Sequence, residues 1–495
     1  MKPEKRNLVV RMLVPPKQTL RFRRFAPLLA VTLVFQVIDA TSQPASSVIS
    51  GVAFTTNGLA LSWSGDTNTA YTVQTRSDLS AGAWSNATMR YRWPWPFTNW
   101  SDAPLTLRAP RFYRVMAEPL PMPDRGKVLT SITSGQFPTN DVRTLMLNWG
   151  TSSFVSPKFP VTLLRFTYET VDPFGLSIKA SALLFLPEGS TGSLPLISLH
   201  HGTLALKTDV PSIAFDGAEY MVGMAFGSLG YVTVVPDYLG MGGSPGYQTF
   251  LHAKSEATCV VDALRAARTI CASNQVTLNG QLFLFGYSQG GHVTMATHRE
   301  LETFHASEFT VTASAPSAGA YDLGGVTVEA ILANSSYPYP WFFSLIPTSF
   351  LHIYGLGNTL EELLGEPYRR TLPRLLDGAH SSSELATAMP PDMFKILRAD
   401  YQADFRTNAN NTLRRALRDN NLYEWTPRAP VKMFHCSGDR VVIFANAQIA
   451  YQSFTNRGAC CVEVVDPGAP QQLDHTACFT PSFQGVLAWF ETLKR

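Results

Sequence analysis

Charge is sparse in this chain. Only 16% of its 495 residues are Asp, Glu, Lys or Arg, and the two signs nearly cancel to a net +3. No basic run occurs outside the N-terminus, so the electrostatic footprint of a nucleic-acid-binding protein is absent. Cysteine is scarce too: Cys259, Cys271, Cys436, Cys460, Cys461 and Cys478 are too few for a disulfide scaffold. Cys259 and Cys271 fall on one expected helix, roughly 18 Å apart, and cannot bridge each other. One bridge, from Cys478 to Cys460 or Cys461, is left open; connectivity is otherwise unreadable. No apolar run beyond residue 40 is long enough to cross a membrane, which excludes an integral span once a leader is removed. Internal repeats are missing as well. The adjacent His200 and His201 point to opposite faces of a strand and have no third ligand nearby, so neither metal nor cofactor is expected.

What is present begins with the first 40 residues. Lys2, Lys5, Arg6, Arg11, Lys17, Arg21, Arg23 and Arg24 precede an apolar run from Phe25 to Ile38 that ends at Asp39-Ala40. A basic segment, an apolar run of this length and a terminal small residue make a secretory signal peptide, with Met12 as an alternative start. The run is shorter than the roughly 20 residues of a membrane anchor. The mature chain is expected to be secreted or periplasmic.

Residues 47–117 alternate with the period of strands. Leu59, Leu61 and Trp63 share one face, Tyr71, Val73 and Thr75 another, and turn signals such as "TTNG" separate the runs. We read a small all-β, sandwich-like module. It resembles short modules ending in "RFYRV" that precede catalytic domains in some secreted bacterial proteins. Trp63, Trp84, Trp93, Trp95 and Trp100 fall here. They are expected to fill a small core, with a platform for a glycan or polymer surface as the alternative. "EPLPMPD", 118–124, is a stiff proline-rich linker.

From 125 to 495 the rhythm changes to apolar strands alternating with helices. "VTLLRFTYETVD" and "LSIKASALLFLPEG" read as a hairpin, followed by strands "LPLISLH", "YVTVVPD", "QLFLFG" and "FTVTASAP" with helices between them. "PVKMFHCSGD", "CVEVVDPG" and a closing helix from Cys478 complete an α/β pattern, a mostly parallel sheet covered on both faces. Residues 324–428 interrupt it. They include the aromatic "YPYPWFFSLIPTSFLHIYG" and a polar helical part at 382–420, and read as a cap inserted over the sheet's active edge.

The most chemically pointed stretch is "FLFGYSQGGH". Gly286-Tyr287-Ser288-Gln289-Gly290 fits G-x-S-x-G between a strand and a helix, the nucleophile elbow, where a strained turn lifts the serine clear of the sheet. A serine hydroxyl needs a base, a group to orient that base, and donors for the oxyanion. Asp439, just past "VKMFHCSGD", and His475, in "QLDHTACF", follow Ser288 in the order this pattern requires. Asp466 and Asp474 are competing acids; His292 and His435 read as packed residues. The N–H of Gln289, at the helix N-terminus, is one expected oxyanion donor. Thr203 in "HHGTL" is the other, with Leu204 close behind.

With these residues in place, 120–495 resembles the α/β-hydrolase superfamily and, within it, the secretory lipase/esterase group. "LHHGT", "GYVTVVPDYLGMGGSPG", "FGYSQGGH", "SGDRVV" and "DHTACF" carry the resemblance. It implies an α/β-hydrolase fold with a cap between the sixth and seventh core strands, and a serine ester hydrolase working through an acyl-enzyme. It places the nucleophile on Ser288, the acid on Asp439, the base on His475, and oxyanion donors on Gln289 and Thr203. The expected function is a secreted lipase or carboxylesterase acting on a small-molecule or lipid ester. The alternatives are a peptidase or carbohydrate deacetylase with the same triad, or an inactive hydrolase-fold binding protein anchored by its aromatic module.

Overall fold

The computed structural model describes residues 6–11, 49–55, 58–63, 69–78, 82–87, 98–101, 112–119, 123–333 and 336–495. The chain forms two compact units, Met1–Pro123 with Phe174–Leu176, and Asp124–Pro173 with Ser177–Arg495.

In the first unit, Ile49–Thr55, Gly58–Trp63 and Thr98–Ser101 form one antiparallel sheet. Arg6–Arg11, Phe112–Pro119, Thr69–Arg76 and Ser85–Asn86 form a second. Leu61 and Trp63 from one sheet pack with Tyr71, Val73, Tyr113 and Val115 from the other. The period-2 alternation therefore makes a two-sheet core. Trp63 belongs to that core, and the Trp84 ring lies 4.5 Å from the Arg114 guanidinium. Trp93, Trp95 and the apolar run 25–38 lie outside the described residues.

The second unit holds a nine-stranded sheet. Its strands are β1 (Val128–Phe137), β2 (Val161–Val171), β3 (Ser177–Pro187), β4 (Leu194–His200), β5 (Val232–Pro236), β6 (Leu278–Tyr287), β7 (Val311–Ser317), β8 (Val431–Phe434) and β9 (Val462–Val465). Their spatial order is β9-β8-β7-β6-β4-β5-β3-β2-β1. The β5-to-β9 side is parallel and the β1-β2-β3 side antiparallel. On β4 and β6, successive residues serve opposite faces. Leu196, Leu282 and Leu284 pack under α3 (Ala253–Ser273) and α4 (Gln289–Phe304). Ile197, Phe283 and Phe285 pack under α2 (Ala218–Ser228) and the closing helix Phe479–Leu493. Strands with both faces covered need to be apolar throughout, and β4 is buried along its whole length. This is the α/β-hydrolase architecture.

Elements that escaped the sequence reading include the helix Thr139–Asn148 and two others. β1 is an exposed edge strand, "VLTSITSGQF", with too few apolar positions to show a period. The helix Ala445–Asn456 carries small and polar residues with weak periodicity. Because β1 was uncounted, the insertion lies between the seventh and eighth strands of this sheet.

The inserted segment leaves the sheet after Ser317 and returns at Val431. It carries the helices Val328–Ala333, Trp341–Tyr354, Tyr368–Leu375, Ser382–Ala388, Ala399–Thr407 and Thr412–Asp419. Trp341, Phe343, Ile346 and Phe350 of the aromatic helix pack with Phe394, Phe405 and Leu413 in a core that also takes in Ala205, Phe250 and Leu251 from outside the insertion. The part read as one helical stretch at 382–420 is broken into short pieces. A capping box at Ser381 with Glu384 starts one, Pro390-Pro391 stops it, and Asn411 caps another.

Candidate active site

Ser288 stands between β6 and α4 with φ 61° and ψ −120°, a left-handed turn that L residues avoid. Two glycines make the turn sterically possible. A Cβ on Gly286 would lie 2.3 Å from the Gly290 carbonyl oxygen, and one on Gly290 would lie 2.1 Å from that of His200. The N–H of Ser288 donates to Ser317 O at 3.0 Å, pinning the elbow to β7.

His475 Nε2 lies 2.9 Å from Ser288 Oγ, and His475 Nδ1 lies 2.5 Å from Asp439 Oδ2. The other oxygen, Asp439 Oδ1, accepts the N–H groups of Val441 and Val442 at 2.8 and 2.9 Å. Burial alone would raise the Asp439 pKa, but hydrogen bonds from His435 and His475 outweigh it and hold the carboxyl down to about 2. The competing acids are engaged elsewhere. Asp466 accepts the N–H of Ser437, and Asp474 accepts that of Ala477 at the start of the last helix.

Asp439 and His475 sit on the turns that follow β8 and β9. A disulfide, Cys436–Cys478, with Cα atoms 6.0 Å apart, joins those turns. The bridge left open from sequence, between Cys478 and Cys460 or Cys461, does not form, since Cys460 and Cys461 are free and exposed. They precede β9, whereas Cys478 follows it; a four-residue strand spans about 13 Å, beyond the reach of a disulfide.

Thr203, Ser288 and Gln289 line one pocket. Gly202 N–H donates to Glu219 Oε1 at 2.8 Å, and Tyr238 OH donates to His201 O at 3.0 Å, which fixes the loop carrying Thr203. The His201 ring stacks on Tyr238 at 4.0 Å. His200 bonds Ser198 and Thr294 instead, and burial together with His201 pushes its pKa down to about 3. Among the described residues, no cluster of three or more His, Cys, Asp or Glu could hold a metal. The pocket is narrow, about 60 Å³, and its wall is apolar, with Phe250, Ile331, Phe342, Ile346 and Met393 prominent.

The five residues singled out in the sequence thus converge at the C-terminal ends of the parallel strands. Others of the site were not foreseen. Tyr287 donates its hydroxyl to His475 O at 2.7 Å, His435 Nε2 lies 3.4 Å from Asp439 Oδ2, and Glu219 holds the Thr203 loop. Tyr287 occupies a free position of the motif, and the other two reach the site only through the fold.

A secretory lipase family model matches residues 212–492. Among solved structures, the rice cell wall degrading esterase LipA from Xanthomonas oryzae is similar at 30% identity. Its TM-score is 0.68, over 75% of this chain and 100% of that one. Candida antarctica lipase A shares the fold at 14% identity and a TM-score of 0.53, over 73% of this chain and 82% of that one. A comparison with curated proteins returns no match. No helix among the described residues is long and apolar enough to cross a membrane.

Proposed function

The chain belongs to the secretory lipase family and is an ester-hydrolysing enzyme, and from that premise we propose that Ser288 is its nucleophile, His475 its base and Asp439 the acid that orients the base. The unbroken line from Asp439 Oδ2 through both ring nitrogens of His475 to Ser288 Oγ carries this reading. The Ser288 hydroxyl attacks the ester carbonyl as its proton passes to His475 Nε2, while the N–H groups of Gln289 and Thr203 receive the oxyanion. Collapse of the tetrahedral intermediate breaks the acyl–oxygen bond, and His475 returns the proton to the departing alcohol. Water then attacks the acyl-enzyme with His475 again as base, releasing the acid and the free serine. Asp439 stays ionised throughout, consistent with a pKa of about 2.

The apolar wall supports an acyl group as the part of the substrate held beside Ser288. Export through the N-terminal leader completes the proposal. LipA is described as degrading rice cell wall, so acetylated plant polysaccharide belongs in a substrate screen beside p-nitrophenyl esters and aminoacyl amides. The test is hydrolysis of p-nitrophenyl esters by the wild type and by Ser288→Ala. We expect a drop of at least about 10³-fold; equal rates would end the claim. Failure of folded wild-type protein to take a fluorophosphonate label at Ser288 would favour the binding-protein alternative.

A further inference from the structure

We infer that Glu256 is a positioning residue that holds the oxyanion amide of Gln289 and the Leu251 wall of the pocket in place, an inference that rests on the ester-hydrolase reading above. Glu256 lies in the first turn of α3 and is only 1% exposed. A carboxylate that merely favoured the helix dipole would stay in water. Here every bond of the carboxylate goes to the neighbourhood of Ser288. Oε1 accepts from Gln289 Nε2 at 2.8 Å and from the N–H of Leu251 at 3.0 Å; Oε2 lies 2.8 Å from His292 Nδ1.

Carboxylate oxygens only accept, so the Gln289 side-chain amide cannot flip. Gln289 is therefore held at both ends, by the first turn of α4 and by Glu256, which fixes the peptide plane that presents its N–H. Leu251 has φ 55°, a conformation that needs outside support, and the same oxygen supplies it. Leu251 and Gln289 both line the pocket with Ser288. The network continues to the cap. His292 Nε2 lies 3.4 Å from Asn420 O, Asn420 Oδ1 accepts the N–H of Ala253, and Asn420 Nδ2 donates to Tyr354 OH. A negative charge behind an oxyanion hole gives no electrostatic help, so the value of Glu256 there is geometric.

The experiment compares Glu256→Leu, which removes the acceptor that the isosteric Gln would keep, and Gln289→Leu with the wild type on p-nitrophenyl butyrate. Rates are expressed per Ser288 labelled by a fluorophosphonate, which counts folded sites. We expect kcat per labelled site to fall about 10-fold in each, with KM within about twofold. Binding of a boronic acid, whose serine adduct mimics the tetrahedral intermediate, should weaken by a similar factor. A purely structural Glu256 would lower the labelled fraction and the Tm but leave kcat per labelled site unchanged, and that result overturns the inference. Should Glu256→Leu not fold, Gln289→Leu decides alone, because it keeps the backbone N–H and loses the bond. Failure of the underlying reading looks different: the wild type itself neither labels nor hydrolyses, and this inference falls with it.

Discussion

The turns that carry Asp439 and His475 and the cap above Ser288 hold their shapes by different means. Around Asp439, both carboxylate oxygens are bonded, Tyr287 grips the His475 carbonyl, and a disulfide ties one turn to the other. In the cap, Trp341, Phe343, Ile346 and Phe394 meet through apolar contact, in short helices interrupted by proline. Directed bonds fix side chains to fractions of an ångström, whereas non-directional packing tolerates a change of shape. Substitutions at the turns should therefore damage rate, and those in the cap should redistribute substrate preference.

The sharpest break in that contrast is Asp439→Asn. It keeps the volume, but forces an N–H toward His475 or the backbone donors, and we expect kcat to fall about 10⁴-fold with KM little changed. Next comes joint replacement of Cys436 and Cys478 by serine. The bridge closes a separation of 42 residues, so its loss should cost about 4 kcal/mol of stability in chemical denaturation. The cap, carrying no such tie, should show no comparable loss on mild reduction.

A third effect is tied to pH. Asp439 is held at about 2, below the ordinary ~3.9 of an unfolded chain. Between those values the unfolded chain binds more protons, so stability is complete above about pH 5 and is lost as pH falls through 2, by about 3 kcal/mol in all. Melting curves across that window should flatten in Asp439→Asn relative to the wild type. The smallest effect sharpens the other side of the comparison. Phe342→Ala enlarges the pocket and should improve kcat/KM for longer acyl esters relative to butyrate by about 10-fold. Unchanged chain-length profiles would remove Phe342 from substrate selection.

Much of the chemistry was legible because it is local or ordered along the chain. Glycines crowd Ser288 because backbone passes within a Cβ's reach, and Asp439 and His475 follow on the turns after later strands. Strands such as β4 announce themselves by unbroken apolar runs. What stayed hidden depends on non-local contact. Glu256 looks like an ordinary first-turn acid until the fold sets it against Gln289, 33 positions away. The disulfide partner of Cys478 follows from which end of β9 each cysteine occupies, and β1 has too few apolar residues to reveal its period.

The bridge between the turns after β8 and β9 has an architectural consequence. Everything it clamps lies after residue 430, and the whole insertion lies before it. Exchanging the stretch between Ser317 and Val431 for one of another length alters loop closure only logarithmically. New specificities could thus be grafted by swapping that segment, with the bonded Asp439–His475 pair travelling intact as a separate cassette.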